Sequence, residues 1–366
     1  MEKVAYQLKD VFSKVKAYFS SPKFLRFWDK FMKIMRTIIP QLAIYAVLIA
    51  FSYIFMSPIL RVIVDSVKTP DDILNPDVVW VPTQLTFKNY KDASKALLIS
   101  RTYKALGNTW ISTLLNSTLY SLITAILQTV VSCTAGYAFA RFSFKGKKLW
   151  FFGLILAFVL PTQLLALPRQ MILRPLMNQT SSPSVLLGLT ESNNRLDGAL
   201  SIVKTIPILL ITMFGQGINS SILTFIAFSF FKMIPNALDE AAQIDGANFF
   251  QIFYHVILKM SVPTILVVFL FAFIWNWNDT YSLKNLTALG QNQLAFQTLP
   301  EALDNFNYLI SQGPGESGIK PEDQEHNNAA LQSASIVISI SPLLILYAFT
   351  QRKFVEGIEN TGVTGV

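Results

Sequence analysis

Residues 233–263 read MIPNALDEAAQIDGANFFQIFYHVILKMSVP. Pro235 suits the first turn of a helix, where its missing N–H costs nothing. Asp239 and Glu240 come early in that helix, where negative charge opposes the positive end of the dipole. Ala241 and Ala242 carry almost no side chain, so another surface can approach the backbone closely. Asp245 and Gly246 give a stop, because glycine takes the left-handed conformation cheaply. A second helix with Phe249, Phe250, Ile252 and Phe253 then leads into apolar sequence. The local product is two short helices joined by an elbow.

What flanks the elbow is apolar for long distances. The chain of 366 residues is 52% hydrophobic and 14% charged, whereas an average soluble domain is about one quarter charged. Charge is nearly absent from six stretches, at about 38–64, 108–140, 149–168, 205–231, 257–279 and 331–351. A helix needs about 20 apolar residues to cross the hydrocarbon core, so the sequence predicts an all-α integral membrane fold with six transmembrane helices. Pro40, Pro58, Pro161, Pro263 and Pro342 fall in or beside these spans, which membrane helices tolerate because neighbouring groups satisfy the freed carbonyls. Trp275 and Trp277 fit the interfacial aromatic belt at the end of the fifth span.

Basic residues set the orientation. With the N-terminus inside, the inner segments hold 17 Lys and Arg in 88 positions and the outer loops 12 in 128. The density is about double inside, which predicts N-in, C-in topology and puts the 233–257 loop on the cytoplasmic face. Ahead of the spans, residues 1–37 read as a basic amphipathic arm. Val4, Leu8, Val11, Val15 and Phe19 recur at helical spacing, and Phe24, Phe27, Trp28 and Phe31 follow among Lys23, Arg26, Lys30 and Lys33. Such a helix lies in the membrane interface or packs on partner protein. Residues 38–366 form the membrane domain.

Several function classes find no support. No short charged-then-apolar segment with a small-residue cleavage site opens the chain, so no removable signal peptide is expected. Cys133 is the single cysteine, and His255 and His326 have no Cys or His at ligand spacing, so no metal site is expected. The net charge of +8 concentrates where a cytoplasmic membrane face wants it, which favours lipid over nucleic acid. No G-x-x-x-x-G-K-[ST] occurs, and residues 313–318 (GPGESG) lack the lysine, so the chain binds no ATP in a P-loop. No G-x-S-x-G elbow occurs either. In the second span Ser132, Gly136 and Ala140 form a small-xxx-small ridge. It reads as a packing seam within the chain or as part of a translocation path. Asp279, at the end of the fifth span, could touch a substrate, although such interfacial carboxylates also serve packing.

The elbow also carries a resemblance. Glu240-Ala-Ala, three residues, Gly246, nine residues, then Val256-x-Leu258 resembles the loop that defines binding-protein-dependent ABC importer permeases. Ser66-Val-Lys-Thr-Pro, Trp80-Val-Pro, Leu85-Thr-Phe-Lys-Asn-Tyr90 and the segment from Gly136 to Gly146 (GYAFARFSFKG) are similar to the carbohydrate-uptake branch. So are Trp277-Asn-Asp279, Phe354-Val-x-Gly357 and Gly362-Val-Thr-Gly365. The match is to the second permease subunit of maltose-type systems and covers roughly residues 45–366. Lys259 stands where the family usually has Pro, so the break before the fifth span is expected to shift to Pro263. The outer loops at 169–206 and 284–330 look longer than usual.

The resemblance implies a type I importer-like subunit of the bacterial cytoplasmic membrane. It would form half of a translocation path for an oligosaccharide or related carbohydrate. Its elbow would seat in a cleft of a separate ABC ATPase dimer, with Glu240 making a polar contact, Ala241 and Ala242 allowing close approach, and Asp245 and Gly246 making the turn. A second permease, giving a heterodimer, and an extracellular solute-binding protein would complete the assembly. The chain would bind no cofactor; ATP and Mg belong to the ATPase. A stand-alone secondary transporter or channel would want intramembrane charges, and apart from Arg61 and Asp279 the spans offer almost none. A membrane-embedded enzyme would want a clustered polar constellation, and none is evident.

Overall fold

A computed structural model describes residues 21–98, 112–160, 206–287, 298–304 and 321–362, with the single positions 164, 168, 169, 171 and 306. The apolar periodicity at residues 4–19 and most of the long loops at 169–206 and 284–330 lie outside the described residues. All regular structure among the described residues is helical. The chain divides into two compact units, 1–63 and 64–366.

The first unit is a single helix where described. Helix α1 runs from Pro22 to Ser66, ending just inside the second unit, with Pro40 and Pro58 in its interior. It continues unbroken through position 37. At 1.5 Å per residue its 45 residues span about 68 Å, roughly twice the hydrocarbon thickness. Its 39-residue stretch Trp28–Ser66 passes the length and hydropathy test for a span. Part of the helix therefore lies beyond the hydrocarbon.

In the second unit, the short helix α2 (Pro70–Leu74) and α3 (Lys88–Leu98) follow. The bundle proper contains α4 (Ser112–Arg141), α5 (Lys147–Val159), α6 (Ile206–Met213) and α7 (Ser220–Met233). Next come α8 (Asn236–Ile244), α9 (Phe249–Met260) and α10 (Val262–Trp277). The short helices α11 (Tyr281–Thr287) and α12 (Leu299–Asp304) lead to the long terminal α13 (Pro321–Gly362). By length and composition three helices can cross a membrane, with candidate stretches Trp28–Ser66, Thr113–Arg141 and Ala329–Arg352. The number rises to five if each of two bent pairs counts as one span.

The differences from the expected spans have local causes. The 205–231 window is two helices, because residues 214–219 (FGQGIN) break it with Gly215 at φ 74° and Asn219 at φ 53°. The third window yields a helix of 13 residues, stopped at Leu160 by extended backbone, with most of 161–168 outside the described residues. The fifth window is bent by 73° between α9 and α10. The break falls at Ser261, and Pro263 sits in the first turn of α10 rather than at the bend. Trp277 is no belt residue: it is buried in the core, and its indole N–H donates to Ser339 O of α13 at 3.3 Å.

Helix α4 is the axis of the bundle, with α6, α7 and α10 packed on it. Ala125, Leu223, Val268, Ala272, Trp277 and Ala334 form the centre of the core. Close approach is sharpest at Gly136, where an added Cβ would lie 2.7 Å from both Ala227 Cβ and Phe228 N of α7. The contact includes backbone, so it cannot be relieved by rotating a side chain.

Gly136→Ala is therefore expected to cost about 1–3 kcal/mol through overpacking, read as a lower melting temperature of the detergent-solubilised chain. Gly153→Ala in α5, where the added Cβ meets nothing within 4 Å, should leave stability unchanged or raise it by ~0.5–1 kcal/mol.

Candidate functional site

The chain turns sharply between α7 and α8, by 63°. Ile234 and Pro235 are extended there, so Pro235 is the cap that precedes α8 rather than a member of its first turn. The turn is held from below by Arg141, the last residue of α4. Its guanidinium donates to Ile234 O at 2.8 Å and to Asn236 Oδ1, and pairs with Asp239 Oδ2 at 3.4 Å. One cation at the end of α4 thus engages three groups, one where α7 ends and two in the first turn of α8.

The far end of α8 follows from residue chemistry. Gly246 stands at φ 82°. Its N–H donates to Gln243 O and the Ala247 N–H to Ala242 O, both at 3.0 Å, the paired bonds of a glycine-terminated helix. Asn248 then opens α9 with a reciprocal cap: its Oδ1 accepts from Gln251 N at 3.0 Å, and its own N–H donates to Gln251 Oε1 at 2.7 Å. Residues Ile252–Ile257 widen into a π turn before Ser261, whose hydroxyl donates to Ile257 O at 2.6 Å.

The elbow has two faces. Leu238, Ala242, Ala247, Ile252 and Ile257 pack inward on Tyr137, Phe231 and Ile234. Tyr137 is the hub: its ring lies 4.8 Å from Phe253, 5.3 Å from Phe231 and 6.2 Å from Phe249, centroid to centroid. Glu240, Ala241, Asp245 and Gly246 are exposed on the other face, with Ile244 86% and Phe250 79% exposed beside them. Ala242 is half-buried on the inner side, where its small side chain brings α8 close to the chain's own core.

The other sequence-derived residues lie elsewhere. Gly136 packs on α7, Ala140 joins the cluster under the elbow, and Ser132 is buried two turns away. Asp279 is buried just after α10, and its Oδ1 accepts the Ser282 N–H at 2.9 Å, capping α11. Arg141 and Tyr137 were not singled out by motif reasoning. Their signal was a spacing of four in the segment from Gly136 to Gly146, which places both on one face at the exit of the second span.

Residues 128–359 match the family described as binding-protein-dependent transport system inner membrane component. The chain belongs to this family. It is 27% identical over 327 residues to a probable ABC transporter permease of Pyrococcus horikoshii, covering 89% of this chain and 98% of that one. It is 29% identical over 308 residues to the trehalose transport system permease of Mycobacterium tuberculosis (84% and 92%). It is 25% identical over 308 residues to a diacetylchitobiose uptake system permease of Streptomyces coelicolor (84% and 91%). The crystal structure of a bacterial ABC transporter involved in the import of the acidic polysaccharide alginate shares the fold, at TM-score 0.58, 18% identity, and coverage of 86% of this chain and 96% of that one. The chain is a multi-pass membrane transport subunit rather than an enzyme, and ATP hydrolysis is the work of a separate ATPase.

Replacing Arg141 with Ala removes charge-assisted bonds of about 1.5–3 kcal/mol each from a site where the side chain is mostly buried. The chain should still insert, but should retain its ATPase at least tenfold more weakly on co-purification, with Arg141→Lys intermediate. Gly246→Val forces a β-branched residue to positive φ at about 1–3 kcal/mol and should give the same loss. Normal ATPase retention in both variants would show that the elbow's shape does not govern the contact.

Proposed function

We propose that this permease forms half of the translocation path of an ATP-driven importer for an oligosaccharide or related carbohydrate in a bacterial cytoplasmic membrane. The observation that carries the coupling role is the elbow itself. It is an exposed, partly apolar projection fixed to the bundle by Arg141 and the Tyr137 cluster. A projection that must transmit force to a partner needs that combination of exposed tip and rigid root. In this reading Glu240, Ala241, Asp245 and Gly246 meet the ATPase, and Ala242 sets how closely α8 sits on its own bundle.

The carbohydrate assignment is supported by relatives named for trehalose, diacetylchitobiose and starch degradation products. The proposed topology is six spans, N-in and C-in, with residues 1–37 as a cytoplasmic or interfacial arm ahead of a 38–366 membrane domain. A heterodimer with a second permease, fed by a solute-binding protein, completes the importer; ATP and Mg are held by the ATPase. Asp279, whose buried Oδ2 has no hydrogen-bond partner among the described residues, is the residue we assign to the substrate side.

Purification with a second permease, the ATPase and a binding protein, followed by a glycan screen, tests this function. An oligosaccharide should stimulate ATP hydrolysis in liposomes; stimulation without a second permease would overturn the heterodimer. Topology is tested with single cysteines in a Cys133→Ser background. Positions 190 and 320 should react with an impermeant thiol reagent outside intact cells, and 145 and 243 should not. Labelling at 243 from outside would sink the six-span reading.

A further inference from the structure

Helices α5 and α7 meet beside the last turn of α4, and their ends there carry charge of one sign. Lys147 and Lys148 stand in the first turn of α5, and Lys232 in the last turn of α7. Helical spacing puts Phe151 on the same face of α5 as Lys147 and Lys148, and Phe225 and Phe228 on the same face of α7 as Lys232. The rings bring the two faces together. Phe151 is 4.8 Å from Phe228 and 6.5 Å from Phe225, centroid to centroid, and Phe139 of α4 is 5.8 Å from Phe151. Lys232 Nζ stands 5.8 Å from the centre of the Phe228 ring. The result is an aromatic seam between two apolar helices, capped at one end by lysines from both.

No carboxylate answers these charges. Neither 93–190 nor 198–238 contains an Asp or Glu, so α4, α5, α6 and α7 carry none. Asp239, the next acid along the chain from Lys232, is paired with Arg141. Lys148 and Lys232 have no ion-pair partner among the described residues. Lys147 is fixed instead by its Nζ donating to Phe142 O at 2.9 Å, across the turn that Gly146 makes at φ 82°. The first turn of a helix favours acids, yet α5 has two lysines there and a glycine cap with no side chain to accept a bond. Lys145, Lys148 and Lys232 are exposed, and so is apolar surface on the same helices, with Leu149 73%, Trp150 67% and Phe225 48% exposed.

We propose that this end of the seam binds an anionic phospholipid, with Lys148 and Lys232 on the headgroup phosphate and an acyl chain along Phe228 and Phe225. The level of the site is set by α4, whose 30 residues rise about 45 Å against a hydrocarbon core of about 30 Å. Its last turn therefore reaches the headgroup layer, and Phe139 in that turn packs on the seam. The charge there is of one sign, which complements a phosphate. Phe225 lies seven residues, about 10 Å, along α7 from Lys232. A soluble anion would take the charge and leave that strip bare, and an acidic segment of a soluble partner would have to enter the hydrocarbon to cover it. A lipid brings the phosphate and the apolar chain on one molecule. Helices α4, α5 and α7 all belong to the second compact unit, so the site needs nothing from α1.

The test uses the full chain in detergent, so it stands whatever the transported solute and whichever way α4 crosses. Bound lipid is counted by native mass spectrometry during titration with dioleoyl phosphatidylglycerol or dioleoyl phosphatidylcholine. Phosphatidylglycerol should bind several-fold more tightly. Lys148→Gln with Lys232→Gln should weaken it roughly tenfold, while Lys148→Arg with Lys232→Arg should keep it. Lys91→Gln with Lys259→Gln removes the same charge from exposed positions elsewhere and should also keep it. Equal weakening in both glutamine pairs would mean bulk attraction without a site, and no weakening in the first pair would overturn the proposal outright. Displacement of the lipid by inorganic phosphate would make this a soluble-anion site. A wild-type chain with no preference between the two lipids would also overturn the proposal, and loss of ATPase co-purification in the first pair would then mark the lysines as a protein contact.

Discussion

In hydrocarbon a polar group that finds no partner within the protein finds none at all, and α4 is built to that constraint. Several of its hydroxyl residues bond back to their own helix: Ser117 to Thr113 O at 2.9 Å, Thr124 to Tyr120 O at 2.6 Å, Thr129 to Ala125 O at 2.7 Å. Where a side chain is too long to fold back, neighbours answer it. Gln128, fully buried, donates to Ile218 O and to Ser220 Oγ, and accepts from Asn276 Nδ2 at 2.8 Å. A single amide therefore joins α4 to the start of α7 and to the last turn of α10. Small residues do the rest: with Gly136 against Ala227 the helices meet at backbone distance, and the polar links fall within reach.

The same economy sets the elbow. Helices α8 and α9 lie outside the bundle and have too few inward residues to fix themselves, so they borrow fixation from the end of α4. Arg141 answers the carbonyl and amide oxygens left open where α7 stops, and the Asp239 carboxylate that begins α8. Tyr137, one turn earlier, carries the aromatic contacts to α9. The exposed tip can then be apolar at Ile244 and Phe250 without collapsing onto its own root.

Much of this was legible in the sequence because the signals were local. Gly246 as a left-handed stop, Asp239 in a first helical turn and the apolar windows of α4 and α13 each depend on a few neighbouring residues. The failures share the opposite character. Trp277 was read as an interfacial anchor, since tryptophan at a span end normally is; its burial depends on Ser339, 62 positions away in the chain. The Gly-rich break at 214–219 vanished inside an apolar window because hydropathy averages over the glycines that end a helix. Arg141 looked like one more positive-inside charge, and only the fold brings Ile234, Asn236 and Asp239 to it.

That last case bears on how the permease would couple to its ATPase under the function proposed here. A charge placed merely to orient the chain is free to sit in water among the headgroups, but Arg141 is mostly buried and committed. Its partners lie on the two sides of the 63° turn, so a displacement of α8 cannot leave α4 where it was without breaking charge-assisted bonds. Helix α4 in turn holds α7 at Gly136 and α10 at Gln128. The elbow is therefore connected to the bundle by three routes that converge on one helix. Movement at the tip is resisted by a packed interior that does not deform continuously, and is passed on as a shift of α4 against its neighbours.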